Sequence, residues 1–525
     1  MAGLALPLRA APAAIAIPAR RWWESRAFVA VALACAIVPL LWPALPPLVD
    51  LPGHIGRYRI LVEAGREPLA RHYAVHWSLI GNLGVDLLVV GLHPLLDVEP
   101  AARLIVTAIP PLTVAAMLWL AREAHGRLPA TAALALPLAY AFPFQFGFVN
   151  FCLAQALALA GMALWLRLTR THAPATRIAL FAPLACVVWL CHSFGWAMLG
   201  LGVFGMEAQR GREAGLGWTR ATVRAGLRCL PMAAPLLATL AGEPLRGETG
   251  DWFHWTEKAW WAVSLLRERW IGWDLAGVAL IGCALYTAMR SPRLSFAPVL
   301  GVPALLFLLG FLLLPQLYQG GAYVDMRLLP GAAAVALLAI RVEPGEIALE
   351  HRLAVLGSGF LLARTLATTL AFLLYAQGQG AALRALPALP VGGATLVLVD
   401  QPPPTSWAQP RLVHLAGLAI ARRHVFVNEQ WALPGQQPIR PRHPRAAPFD
   451  RNPSQVVFQG HAFRSTQFDA AIAGFDRCTF GTVWTIDFPP GRAHAPDLRM
   501  IWTDNRSAIY RVGPRRCLSG AAPAR

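Results

Sequence analysis

The stretch Asp50-Leu51-Pro52-Gly53-His54 places a carboxylate and an imidazole four residues apart, just after the first long apolar run. Polar groups at the edge of a greasy segment are costly to hold, so both are functional candidates from the outset. The chemistry open to Asp50 is accepting a proton from a hydroxyl nucleophile, with His54 as a substrate contact beside it. Asp, Pro and Gly also stop helices, so the same residues read as a turn carrying a solvated histidine. A second set could neutralise phosphate. Arg327 heads it, because a planar guanidinium pairs bidentately with phosphate oxygens, and Arg57, Arg59 and Lys258 follow. Asn150, His192 and Asp325 are further candidate substrate contacts. Each has a structural alternative. His192 could be hydrogen-bonded inside the core, Asp325 could pair with Arg327, and Arg57 and Arg59 could reach lipid headgroups. Asp251 and His254 read first as a solvated helix cap. Asp50 and His54 could share a divalent metal, but two ligands at this spacing form no metal motif, and the cofactor stays open.

The elements that must position these residues are membrane helices. Of 525 residues, 56% are hydrophobic and 14% charged, which excludes an ordinary soluble protein. Repeated apolar runs near 20 residues make a polytopic membrane protein. The net charge of +18 comes from arginines in short loops, with Lys258 the single lysine, and does not point to nucleic acid. Six cysteines lie in or beside apolar runs and read as small core residues. Cys478 and Cys517 lie in the polar C-terminal region, where an oxidising compartment would pair them as a disulfide.

Taken in order, residues 1–26 form a cytoplasmic arginine-bearing segment, and the run at 27–46 is a retained first helix without a cleavage site. Asp50 then falls on the periplasmic side. The run at about 77–96 contains Asn82, Asp86 and His93 and spoils the charge parity if it spans. It is therefore expected to lie along the interface, within a periplasmic loop 47–100. The next span, at about 101–121, puts Arg122 and Arg127 inside, as it does Arg167–Arg177 and Arg210–Arg228. Between those loops the chain makes two out-and-back excursions with tips at 144–150 and 191–195, which must be buried in protein or line a wet cavity. Further spans give about eleven in all within 27–377. From 378 to 525, β-branched runs at Ala394–Asp400, Val483–Phe488, Arg499–Thr503 and Ala508–Val512, with a helical run at Leu412–Arg422, predict a small α/β periplasmic domain. A rigid turn is expected at Gln401–Thr405. The fold class is thus mostly α, a polytopic bundle with a C-terminal α/β unit. Its polar residues gather on one face, where a lipid-borne substrate and a periplasmic acceptor could meet.

This pattern resembles the GT-C class of polytopic glycosyltransferases, which use polyprenyl-phosphate-linked sugars. The resemblance rests on Asp50 after the first span and on a first periplasmic loop with interfacial helices near Gly53–Gly65 and His76–Leu96. The Ala101-Ala102-Arg103-Leu104 opening of the next span and Arg327-Leu328-Leu329-Pro330-Gly331 complete it. It implies that Asp50 is the catalytic base of an inverting transferase of the bacterial inner membrane, acting at the periplasmic face on a polyprenyl-phosphate-linked sugar. The chain departs from the class in lacking the acidic metal motif of oligosaccharyltransferase-like members, and in having Leu328 where an aromatic is common. It is most similar to bacterial membrane proteins of undetermined function that share the Asp-Leu-Pro-x-His loop. A lipid or polysaccharide transporter is the alternative, and would want polar residues at several membrane depths. A non-catalytic envelope assembly protein is the third reading.

Overall fold

A computed structural model of the chain describes residues 21–172, 174–241, 247–402, 406–458 and 467–514. Helix α1 (Arg26–Leu41) is opened by Ser25, whose hydroxyl accepts the Phe28 N–H at 3.1 Å and so satisfies a free N-terminal donor. Asp50 and its loop lead into α2 (Leu51–Val62), with Pro52 in the first turn, where its missing N–H costs nothing. After β1 (Tyr73–Val75), the awkward polar segment yields only a short helix, α3 (Gly84–Leu92), followed by the long α4 (Val98–His125).

The chain turns back on itself at both expected tips. In the first, α5 (Phe142–Phe146) turns at Gly147 and α6 (Val149–Thr171) returns. Gly147 has φ +100°, a left-handed conformation that suits glycine and strains other residues. In the second, α7 (Pro174–Cys191) and α8 (Ser193–Glu213) meet at His192. Then come α9 (Trp218–Cys229), α10 (Pro235–Ala241), α11 (Trp255–Val263), α12 (Ile271–Arg290), β2 (Leu294–Phe296), α13 (Pro298–Leu313), α14 (Leu328–Ala339), β3 (Ile340–Val342) and α15 (Ile347–Leu383). Helix α15 continues past residue 377, where the composition changes.

Among the described residues, four helices are long and apolar enough to cross a bilayer: Val98–His125, Val149–Thr171, Ile271–Arg290 and Ile347–Ala388. Arg26–Leu41, Ala132–Phe146, Ala175–Cys191 and Pro298–Leu313 are shorter apolar helices. Two further expected spans, at about 229–242 and 328–341, are helices of only seven and twelve residues. The outside of the bundle carries many exposed apolar side chains. Leu237, Leu240, Leu305 and Leu366 are exposed, as lipid-facing residues would be. The chain is a mostly α-helical membrane protein.

The C-terminal region is built on a six-stranded sheet. Its strands are β4 (Ala394–Gln401), β5 (Phe426–Val427), β7 (Val456–Phe458), β8 (Thr482–Ile486), β9 (Leu498–Thr503) and β10 (Ser507–Val512), with β6 (Ile439–Pro441) outside it. The order is β5-β4-β8-β10-β9, and β7 also pairs with β4. Strand β4 runs parallel to its three partners, and Leu396–Val399 are fully buried, as a central parallel strand covered on both faces requires. Helices α16 (Gly417–Arg423) and α17 (Phe468–Gly474) complete the unit. Residues 403–405 of the expected turn lie outside the described residues. So does Cys517, although Cys478 is disulfide-bonded.

What matters for the site is how this unit meets the bundle. β6 pairs with β1 of the first loop, Tyr73 opposite Pro441. Helix α16 lies directly on α2: a side chain on Gly417 would drive a carbon to 2.6 Å from the Gly53 Cα. Arg411 bonds the Gln145 side chain and main chain, and Gln379 Nε2 donates to the Arg411 carbonyl at 2.9 Å. Asp274 takes hydrogen bonds from Trp407 of the unit and Arg364 of α15, each at 2.8 Å. Buried charges engaged on both sides of the junction hold the two parts in one register.

Candidate functional site

Asp50 occupies the cap position of α2, yet its carboxylate makes no capping hydrogen bond. An aspartate there normally accepts a helix N–H. Instead the main chain fixes the residue: Asp50 N–H donates to the Phe146 carbonyl at 2.9 Å, and His54 N–H donates to the Asp50 carbonyl at 3.0 Å. Gly147 packs against it so closely that an added Cβ would stand 2.9 Å from the Asp50 nitrogen. His54 donates from Nε2 to the Gly147 carbonyl at 3.1 Å, which clamps the first excursion tip onto the Asp50 loop. The side chain is therefore released into a cavity of about 1020 Å³. Its Oδ1 is buried and accepts no hydrogen bond.

Burial raises the Asp50 carboxyl to about 6, against the pull of the nearby His414 and Arg327 cations. A carboxylate poised there is a far better base at neutral pH than a solvated one. Burial and the Arg57 charge push His54 well down, so it is neutral.

Across the cavity, Arg327 precedes α14. Its guanidinium lies over the Phe148 ring at 4.5 Å, and Nη1 is 2.8 Å from His192 Nε2. Nη2 reaches the Ala322 carbonyl at 3.3 Å, and Nε is buried without a partner. Among the described residues, no carboxylate forms an ion pair with it. His192 caps α8 by accepting the Phe194 N–H on Nδ1 at 3.1 Å. A neutral imidazole accepts at only one nitrogen. The Phe194 and Arg327 contacts therefore cannot both be hydrogen bonds, and one N–H there is left without an acceptor. A cation without a counter-ion and a surplus donor, at one wall of a cavity, suit an anionic oxygen.

The other expected contacts are arranged differently. Arg57 borders the cavity but is locked bidentately to Asp86, at 2.7 and 3.0 Å, both side chains being buried. Asn150 accepts the Val85 N–H at 2.6 Å and donates to Asp86 at 3.0 Å and to the Asn82 carbonyl at 2.9 Å. Lys258 and Asp325 do not line the cavity. They pair with each other at 2.7 Å, and the ammonium also donates to the Phe311 and Leu314 carbonyls at 2.7 and 3.0 Å. All three of its hydrogens are engaged at the C-terminal end of α13, where free carbonyls and the helix dipole favour a cation. Asp325 thus pairs with Lys258 rather than with Arg327. Asp251 and His254 are exposed. Among the described residues, no group of three His, Cys, Asp or Glu side chains is arranged to hold a metal ion.

Sequence reasoning missed the wall that the C-terminal unit supplies, which includes His414, Glu429 and Gln430. His414 falls in the run read only as helical, and nothing in the linear order places it against residue 50. Asp86 did leave a signal, since it was one of the polar residues that made 77–96 unsuitable as a span.

No family model and no curated protein matches the chain. Solved structures similar to it in overall course include two of one protein. One is ArnT from Cupriavidus metallidurans bound to undecaprenyl phosphate, at 14% identity and a TM-score of 0.48, covering 93% of this chain and 99% of that one. The other is ArnT from the same organism in the apo state, at 15% identity and 0.47, covering 93% and 98%. At that identity and score the likeness assigns neither activity nor ligand, and the functional reading has to rest on the cavity.

Proposed function

We propose that this membrane protein transfers a sugar from a polyprenyl-phosphate-linked donor to a hydroxyl-bearing acceptor, with Asp50 as general base. The observation that carries the reading is the pairing, across one cavity, of a carboxylate whose Oδ1 accepts no hydrogen bond with a cation that no carboxylate among the described residues pairs. The acceptor hydroxyl gives its proton to Asp50 as its oxygen attacks the anomeric carbon, and the bond from that carbon to the phosphate oxygen breaks. The electron pair leaves with polyprenyl phosphate, whose growing charge Arg327 and His192 meet. One displacement inverts the anomeric centre. In this reading His54 steadies the excursion tip beside Asp50. Arg57, Asn150, Lys258 and Asp325 hold the frame of the site rather than the substrate. The cavity faces the periplasm of a bacterial inner membrane, and the unit 378–525 closes it from that side over a bundle formed by 27–377.

Arg327→Gln tests the phosphate assignment. Titration of purified protein with polyprenyl phosphate should show Kd weakened by about 30- to 1000-fold, or about 2–4 kcal/mol, as expected when one partner of a desolvated charge pair is removed. An unchanged Kd would remove Arg327 from the phosphate site.

A further inference from the structure

The base on the bundle is faced by a cation from the C-terminal unit. His414 Nε2 lies 3.7 Å from Asp50 Oδ1, and His414 Nδ1 is 3.1 Å from Glu429 Oε2. Glu429 is 1% exposed. Its other oxygen accepts from Gln430, whose amide also donates to the Gly53 carbonyl at 3.0 Å. The three ionisable groups thus form a line, carboxylate–imidazole–carboxylate, that crosses from one part of the fold to the other.

The line exists because of two close approaches. Gly417 lets α16 lie on the first turn of α2, and His414 stands three residues before α16 begins. Gly53 leaves room for the pair: a Cβ there would stand 2.9 Å from Glu429 Oε2 and 3.4 Å from the His414 Cβ. The glycine of the Asp50–His54 stretch is therefore needed for access by His414 and Glu429, and not only for a turn.

We propose that His414, clamped by Glu429, is the cation that keeps Asp50 ionised, so that the C-terminal unit makes the bundle's carboxylate a working base. The geometry allows little else. An imidazole between two carboxylates in a desolvated place is stabilised as imidazolium. Burial alone would lower its pKa, but the Glu429 hydrogen bond and the Asp50 and Glu429 charges outweigh it and raise it. The other groups facing this line are His54, Arg57, Arg327 and Tyr323. His54 is neutral, Arg57 is already matched by Asp86, and Glu429 disfavours a second negative charge. Of the cations that offset the burial of Asp50, His414 is the largest influence, ahead of Arg327 and Arg57. His414 is thus a positioning residue that acts through Asp50. Its effect on sugar transfer rests on the reading of Asp50 as base, while its effect on the ionisation of Asp50 does not.

The test reads the ionisation directly. In purified full-length protein, the carboxylic-acid C=O infrared band that disappears in Asp50→Asn reports protonated Asp50. Its midpoint in wild type should lie near pH 6. In His414→Gln it should rise by about one pH unit or more, the effect of removing an opposite charge at this range. By reciprocity, Asp50→Asn should lower the midpoint of the His414 imidazole, followed by nitrogen-15 resonance; this arm stands even where His414→Gln fails to fold. A band midpoint unmoved by His414→Gln, or an imidazole midpoint unmoved by Asp50→Asn, would overturn the proposal. Transfer by His414→Gln should also fall to about half of its high-pH rate or less at pH 7 and recover toward pH 9, a rescue that loss of structure would not give. Shifted midpoints in a wild type that transfers no sugar would uphold the electrostatic coupling and refute the transferase reading instead.

Discussion

Asp50→Asn should lower turnover of a polyprenyl-phosphate sugar by about 100- to 10,000-fold, the range for loss of a general base. Donor affinity should stay within a few-fold of wild type. The two expectations separate because of how Asp50 is built in. Its main chain is held by Phe146 and His54, while the carboxylate neither caps α2 nor accepts a hydrogen bond at Oδ1. Asparagine keeps the shape and the main-chain contacts and removes only the proton acceptor. The wild-type rate should rise with pH through about 6. Below that value the burial-raised carboxyl holds its proton and cannot accept another; above it the carboxylate is available. Turnover of Asp50→Asn within a few-fold of wild type, or a rate flat across that range, would show that the base lies elsewhere.

Lys258→Met should destabilise the protein by about 3–5 kcal/mol, because it leaves the buried Asp325 carboxylate without its cation. Lys258 and Asp325 are 3% and 1% exposed, and the same ammonium also engages two carbonyls at the end of α13. Combining Lys258→Met with Asp325→Asn should recover much of the loss, since a neutral pair no longer carries an uncompensated charge. Denaturant unfolding in detergent reads both. The fraction that stays folded should bind polyprenyl phosphate with unchanged affinity. Full stability with weakened donor binding would make Lys258 a ligand instead of a strut.

The membrane bundle was legible because its signals are local. Arginine in short loops gives each pass an expected direction, and the resulting parity places turning points near Gly147 and His192, where the chain does turn. The same logic treats 77–96 as interfacial, and two of its polar residues, Asp86 and Asn82, have partners in Arg57 and Asn150. The β-branched alternation likewise found the strands near 394–401 and 507–512. Helix ends were less legible: α15 runs to Leu383 because nothing in its sequence stops it where the composition changes. Pairing was least legible. That Lys258 would take Asp325, and Arg327 the face of Phe148, depends on which helix end lies beside which loop. Likewise, Asp50 and His414 are 364 positions apart in sequence, and only the packing of α16 on α2 joins them.

The central claim is best tested with the wild-type protein in sealed vesicles, given a polyprenyl-phosphate sugar labelled on both sugar and lipid, with hydroxyl acceptors supplied on one side. The expected result is free polyprenyl phosphate together with a sugar label newly bonded to an acceptor, and no accumulation of intact donor on the opposite leaflet. Intact donor carried across the membrane with its sugar–phosphate bond unbroken would contradict it and establish the cavity as a passage.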